Sequence, residues 1–468
     1  MKKKYVRWTL WTIASPFILF IILCILIYLP PIQNFLVDKA AVYASEATGM
    51  NISVGRISLS FPLNLVVTNV DAASPHNDTL LSVRRLQVNV QLLPLLKKQV
   101  EVDGISLQGA TVNSNDLIHG MKLNGTLGEL FISSHGVALD PETAIVNKVL
   151  LKDTDLSLCL NDTAAVDTAA SDTTYWKIIL QDIDLQNVSF ALDMPLDSLS
   201  LAASLDNAIL RDGLIDLHKS AYSLQTFRIE NGRVRYDNGK PLAADSLSSG
   251  LDPSHIALTD IGVKLDSLYY GGRNMKAIIS QFVLKERSGV EIVSATGRMV
   301  SNDKVLRVPS LKLETRDSYL ELNAAMDWNA LDFKGEGLMS ARLMADIGKP
   351  DVVRFMGRMD EKFVRQYPSE PLRIRTGIDG DLNKLKLTTL TAELPGALGL
   401  FARGELTHLT DSLLRGGDIT LEAETKDLKF VSTLAEGIEI PYGTRLEGKF
   451  TMAGTKMGTD LLLMQPEA

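Results

Sequence analysis

The residue types able to do chemistry are present in this sequence but not gathered. Six histidines stand at His76, His119, His135, His218, His255 and His408, and none forms an HExxH or another close ligand pair. No GxSxG elbow, GxxxxGK[ST] phosphate loop or GxGxxG turn occurs. Asp162, Asp167 and Asp172 are five apart, whereas a calcium loop needs ligands at alternate positions. His255 with Asp252 reads as a loop hydrogen-bonding pair rather than a general base. Catalytic residues, metal ligands and a bound cofactor are therefore not expected, and an enzyme would have to assemble its site across long sequence distances.

What the sequence does organise is apolar surface. From Ile52 onward apolar residues recur every second position, as in Ile57 and Leu59, Val88 and Val90, Ile261-Gly-Val263-Lys-Leu265, and Leu320-Glu-Leu322-Asn-Ala324-Ala-Met326. That period lines one face of a strand. Gly, Asn and Asp punctuate the runs with short connections, which predicts a body that is nearly all β with antiparallel neighbours. A degenerate unit repeats: Ile105-Ser-Leu107-Gln-Gly-Ala-Thr-Val112, Ile183-Asp-Leu185-Gln-Asn-Val-Ser-Phe190 and Phe227-Arg-Ile229-Glu-Asn-Gly-Arg-Val234. Each reads as strand, Gly/Asn turn or bulge, strand, and the uneven separations exclude a fixed-period solenoid. Residues 161–174, rich in Asp, Thr and Ala, read as an inserted loop. Leu338–Met356 carries helix-like spacing broken at Gly348-Lys349-Pro350, predicting one or two short helical turns packed on the sheet.

The start of the chain positions the rest. After a basic tail, residues 1–7, the stretch Trp8–Leu29 holds no charge. At ~1.5 Å per residue it covers ~33 Å, enough for a bilayer core of ~30 Å. Trp8 and Trp11 at one end and Tyr28 at the other suit the two interfaces, and the basic tail places the N-terminus in the cytoplasm. A cleavable signal fits less well, because the run is long and Leu29-Pro30-Pro31-Ile32 offers no small-residue cleavage site. Residues 30–49 read as an amphipathic helix, with Ile32, Phe35, Leu36, Ala40, Tyr43 and Ala47 on one stripe. Residues 50–468 form the outer body.

The formal net charge is −8, leaving 44 basic against 56 acidic residues beyond Arg7, about −12. That balance argues against nucleic acid or an anionic lipid surface as partner. Cys24 falls in the span and Cys159 stands alone outside it, so no internal disulfide is available. A large outer body without disulfides fits a bacterial envelope, and the sequons at Asn51, Asn77, Asn124, Asn161 and Asn187 carry little weight beside that.

Two architectures satisfy the alternation. In a sandwich, apolar faces pair into ordinary cores. In the other, a long sheet curls and leaves an aliphatic groove that acyl chains fill. The membrane anchor favours the groove, with lining expected from Ile105, Leu107, Ile183, Leu185, Phe227, Ile229, Ile261, Val263 and Leu265.

Several segments resemble the AsmA-like superfamily, and within it the TamB-type inner-membrane translocation and assembly proteins. The anchor leads to a helix ending Ala47-Thr48-Gly49. Then come Ile52-Ser-Val-Gly-Arg-Ile57, Phe61-Pro-Leu-Asn-Leu-Val-Val-Thr-Asn-Val70, Leu92-Leu-Pro-Leu-Leu96 and Val100-Glu-Val-Asp-Gly-Ile-Ser-Leu107. Asp379-Gly-Asp-Leu382 and Arg403-Gly-Glu-Leu406 resemble later turn-and-strand units of that family. The resemblance covers most of the chain as a pattern of apolar positions and glycines. It implies a bacterial inner-membrane protein with a periplasmic, elongated, curled antiparallel sheet, a β-taco-like groove that conducts phospholipid toward the outer membrane. Its implied partners are phospholipid acyl chains, the inner membrane and an outer-membrane barrel protein, and its alternative role is a tethered scaffold for outer-membrane protein assembly. TamB-type proteins are longer and end in a C-terminal β domain that has no counterpart before Ala468, so this sequence reads as an N-terminal part or a short relative.

Overall fold

The structure, a computed structural model, describes residues 39–465 except 40, 43–44, 47, 61–63, 75–77, 92–101, 115–119, 139–141, 162–174, 241–249, 332–336, 358–359 and 435–440. The expected membrane span 8–29, with Trp8, Trp11 and Tyr28, lies outside the described residues, as does most of the inserted loop 161–174. Among the described residues no helix is long and apolar enough to cross a membrane. Of the expected 30–49 helix, the described positions from Lys39 to Thr48 are helical.

The chain divides into two units, 1–207 and 208–468. The first contains β1 (Asn51–Ser60), β2 (Asn64–Ala73), β3 (Thr79–Val90), β4 (Val102–Asn113), β5 (Met121–Ala138), β6 (Thr143–Leu160) and β7 (Lys177–Met194). Successive strands pair from β1 through β7. The expectation of antiparallel neighbours holds for every one of these pairs but the last. β6 and β7 run parallel, with Thr143 opposite Lys177 and Leu158 opposite Leu192. A parallel pair needs a crossover of about a dozen residues or more, and the stretch 161–176 supplies that length where a hairpin turn would not.

β8 (Leu199–Asp216) crosses the division, and the second unit continues with β9 (Ala221–Leu224) and β10 (Thr226–Asp237). These two act as one strand interrupted at Gln225, since both pair antiparallel with β11 (His255–Gly271). There follow β12 (Asn274–Glu286), β13 (Glu291–Ser301), β14 (Val305–Thr315), β15 (Tyr319–Asp327), β16 (Met339–Ile347) and β17 (Leu372–Gly380). β18 (Lys384–Leu394), β19 (Leu398–Thr407), β20 (Gly416–Thr425), β21 (Arg445–Ala453) and β22 (Lys456–Met464) complete it, each antiparallel to its predecessor.

Two short helices interrupt this order between β16 and β17. They are α1 (Lys349–Met356), which starts with Pro350 at its first turn, and α2 (Glu361–Gln366), capped by the Asp360 carboxylate accepting from the Lys362 N–H. The helix-like stretch 338–356 thus splits at Gly348. Met339–Ile347 is strand, with Ala341, Leu343, Ala345 and Ile347 in the alternate positions and Met344 exposed on the other face. Only the portion after Gly348 is helical. The spacing of Leu343, Met344 and Ile347 mimics a helical stripe because residues from both faces of one strand were counted together.

The compact core of the second unit is small and lies at the strand ends where these helices sit. Phe363 and Tyr367 pack against Phe430 of the 3-10 turn Lys429–Thr433, with ring centroids 5.1–5.8 Å apart. Leu394, Ala397 and Leu428 complete the buried cluster, and Leu372 and Leu398 pack on it.

Candidate functional site: the apolar sheet faces

In β1–β7 the register aligns side chains into rows that cross all seven strands. One row is Leu59, Leu65, Val88, Ile105, Ile132, Val149 and Ile183, each directly opposite the next. The adjacent row is Ile57, Val67, Leu86, Leu107, Leu130, Leu151 and Leu185. Directly paired residues project from the same face, so fourteen aliphatic side chains form one uninterrupted surface. The opposite face carries Ser53, Asp71, Ser82, Thr111, Thr126, Asp155 and Ser189 in a comparable row. Here Ser82 donates to Asp71 at 2.6 Å and Ser189 to Asp155 at 2.5 Å.

A crease crosses the same seven strands. The paired ladder skips Gly55 in β1, Asn69 in β2, Arg84 in β3, Gly109 in β4, Gly128 in β5, Asp153 in β6 and Asn187 in β7. Asn69, Gly109, Asp153 and Asn187 have φ of 52°, 62°, 49° and 52°. This left-handed conformation is open to Gly and tolerated by Asn and Asp, which is why these types sit there. An extra residue in a strand bends it and increases its twist. Because every strand is bent at one level, the bends add to a fold line. Beyond it the apolar face resumes with Val54, Val70, Val83, Ala110, Leu127, Thr154 and Val188.

Exposure shows which way the fold closes. On the apolar side of the crease Val83 and Thr154 retain 6% and 2% of their accessible surface. Arg84, Arg85, Lys152, Asp153, Gln186 and Asn187, on the outer side, are exposed. The sheet of β1–β7 is bent toward its apolar face. Thr154, the one polar member of the inner rows, donates its hydroxyl to the Lys152 carbonyl at 3.1 Å.

Of the residues expected to line a groove, the four in the first unit fall on this face. Ile105 and Ile183 share the first row, Leu107 and Leu185 the second. In the second unit Phe227 pairs with Leu265, Ile229 with Val263, and Ile261 with Gly232. Asn231 and Asp260, with φ of 54° and 53°, put a bulge in β10 and in β11. The repeat noticed in the sequence is therefore this bulge motif. Gly109, Asn187 and Asn231 occupy its fifth position, and each unit is one continuous bent strand rather than two strands joined by a turn.

Other positions on this face carried a signal that alternation alone overlooks. At the crease the apolar spacing lengthens from two to three, as in Val67 to Val70, Leu127 to Leu130 and Leu185 to Val188. In the second unit, β14–β22 carry a row of their own, Leu311, Leu322, Leu343, Thr376, Leu390, Ala402, Leu421, Gly448 and Leu461, with small residues more frequent than in the rows of β1–β7.

The polar candidates behave as structural groups. His255, 5% exposed, places Nδ1 2.8 Å from Asp252 Oδ2 and Nε2 3.6 Å from Asp237 Oδ1, closing the base of the β10–β11 connection. The hydrogen bond from His255, with help from the Ser254 N–H, holds the Asp252 carboxyl below its ordinary 3.8. Among the described residues no group of three or more His, Cys, Asp or Glu is arranged to hold a metal. No protein-family model matches the chain and no curated protein matches it significantly.

Proposed function

We propose that this protein is a membrane-anchored envelope protein whose apolar sheet faces shelter phospholipid acyl chains and carry them between the inner and outer membranes of a bacterium. The observation that carries the reading is the pair of aliphatic rows crossing β1–β7 on a sheet creased toward them. Among the described residues of β4–β7 no aliphatic side chain is buried, which supports an open face over these strands, with Val83 of β3 buried beside the crease. Apolar surface gains ~25 cal/mol for each Å² withdrawn from water, and an acyl chain laid along the rows satisfies both surfaces at once. A chain moving from row to row meets near-equivalent side chains and needs no catalytic group. The uncharged Trp8–Leu29 stretch supplies the membrane source, in keeping with the resemblance to TamB-type proteins.

The test is to purify the full chain in mild detergent and measure bound phospholipid by native mass spectrometry. The reading expects copurifying phospholipid that is lost in a Leu107→Arg/Leu185→Arg variant retaining its circular dichroism. A lipid-free native protein would end it.

A second reading, a scaffold for outer-membrane strands, draws on β22. That strand pairs with β21 over nine residues without a bulge, and Leu461, Leu462 and Leu463 are exposed there. A regular, apolar strand with no second partner strand among the described residues can accept an added strand. Crosslinks from β22 to nascent barrel proteins in place of lipid would favour it.

A further inference from the structure

The second unit holds a contact pattern that the lipid reading does not use. α1 leaves the end of β16 and runs back past hairpin connections that precede it in the sheet. At its start the Gly348 N–H donates to Ser318 Oγ at 3.1 Å, in the β14–β15 turn. Asp351, 1% exposed, accepts from Ser318 Oγ at 2.6 Å and from Thr315 Oγ1, while Arg354 donates to its other oxygen at 3.0 Å. Arg354 also donates to Asp317 at 2.9 Å. Its side chain lies against Gly289 of the β12–β13 turn, where an added Cβ would meet Nε at 3.3 Å. Its carbonyl accepts from the Leu251 N–H at 2.8 Å, in the β10–β11 connection.

These contacts tie neighbouring connections together at one rim of the sheet. From Gly348 to Arg354 a helix advances ~9 Å. The strands that the two ends touch, β15 and β11, are four spacings apart, ~19 Å at ~4.8 Å each. Residues 251–254 and the Arg354 side chain span the rest, so one short helix links the ends of five successive strands.

We propose that α1 is a rim strap that holds the sheet of the second unit curled, with Arg354 as its fastening. Three connections converge on it. Asp351 is buried because it anchors the strap to the β14–β15 turn, and removing solvent from a carboxylate requires such partners. Gly250, at φ 98°, fits its place because a Cβ there would lie 2.7 Å from the Arg354 carbonyl oxygen and 2.8 Å from Gly357 Cα. The strap stands on this geometry alone and does not depend on lipid.

The experiment is double electron–electron resonance on the full chain, with Cys24 and Cys159 replaced by serine and spin labels at Thr259→Cys and Glu393→Cys. These exposed sites on β11 and β18 are seven spacings apart, ~34 Å along a flat sheet. Arg354→Ala is expected to lengthen and broaden the distance distribution by on the order of one strand spacing, ~5 Å. Gly250→Ala, which pushes the β10–β11 connection off the strap without altering the strap, is expected to do the same and covers the case in which Arg354→Ala fails to fold. An unchanged distribution in a folded variant overturns the strap. Lipid content is not read, so a lipid-free protein would end the transport reading while leaving this one intact.

Discussion

The aromatic cluster under α2 and the aliphatic rows of β1–β7 use the same kind of strand face to opposite ends. At the cluster, Leu394 and Leu398 project from β18 and β19 and are covered by Phe363, Tyr367 and Phe430, so that Phe363 keeps 1% of its surface. In the rows, Ile105 keeps 36% with an equally apolar neighbourhood. Alternation makes an apolar face; a separate element decides whether protein covers it. In the second unit helices lie over one end of the strands, whereas among the described residues the aliphatic rows of β1–β7 keep partial exposure. A face that is bent and left open is available to a ligand.

The comparison can be broken by truncation. Phe363→Ala removes a fully packed ring and is expected to cost about 3–5 kcal/mol, read as a lowered denaturation midpoint of the second unit. Leu107→Ala, at half burial, is expected to cost about 1 kcal/mol in the first. Equal losses would mean that the rows are a closed core. Asp351→Ala is expected to cost about 3 kcal/mol, because it strands the Thr315 and Ser318 hydroxyls and the Arg354 guanidinium without their shared acceptor. A loss below about 1 kcal/mol would show that burial of this carboxylate is incidental to the packing of α1.

Charge insertion sharpens the contrast. Leu130→Arg places its head on an open face and is expected to lower stability by no more than about 1.5 kcal/mol. In a closed sandwich the same unpaired charge would cost several. Urea titration with intrinsic fluorescence reads the difference. The smallest effect concerns pH. Burial raises the Tyr367 phenol above its ordinary 10.0. The folded state then holds that proton more tightly than the unfolded chain does. This contribution is complete below about pH 10 and is lost as pH rises through the folded value. Near-ultraviolet circular dichroism should accordingly show the aromatic cluster loosening above pH 10 before the far-ultraviolet strand signal changes.

Much of this was legible in residue pattern. Period-two alternation located the strands and put Ile105, Leu107, Ile183 and Leu185 on one face, because one buried or half-buried face imposes it on each strand. The repeat of Gly109, Asn187 and Asn231 was visible as well, but not its meaning. Only register shows that Gly109 and Asn187 belong to one level of skipped residues crossing β1–β7, and that Asn231 lies beside the Asp260 bulge of β11. The parallel pairing of β6 with β7 was not legible, since the composition of 161–174 does not encode strand direction. Nor was the aromatic cluster: Phe363, Tyr367 and Phe430 lie in short segments far apart in sequence, and topology alone brings them together. Asp351 looks like any acidic residue in a first helical turn until its partners from the β14–β15 turn are seen.

The central claim is that one face of β1–β7 meets acyl chains and the other meets water. Site-specific photocrosslinking in cells tests it most directly, with a benzophenone amino acid placed at Leu107 or Leu130 on the apolar face and at Gln108 or Glu129 beside them on the other. The account predicts phospholipid adducts from Leu107 and Leu130 and none from their neighbours. Adducts independent of face, or protein-only adducts at Leu107 and Leu130, would contradict it.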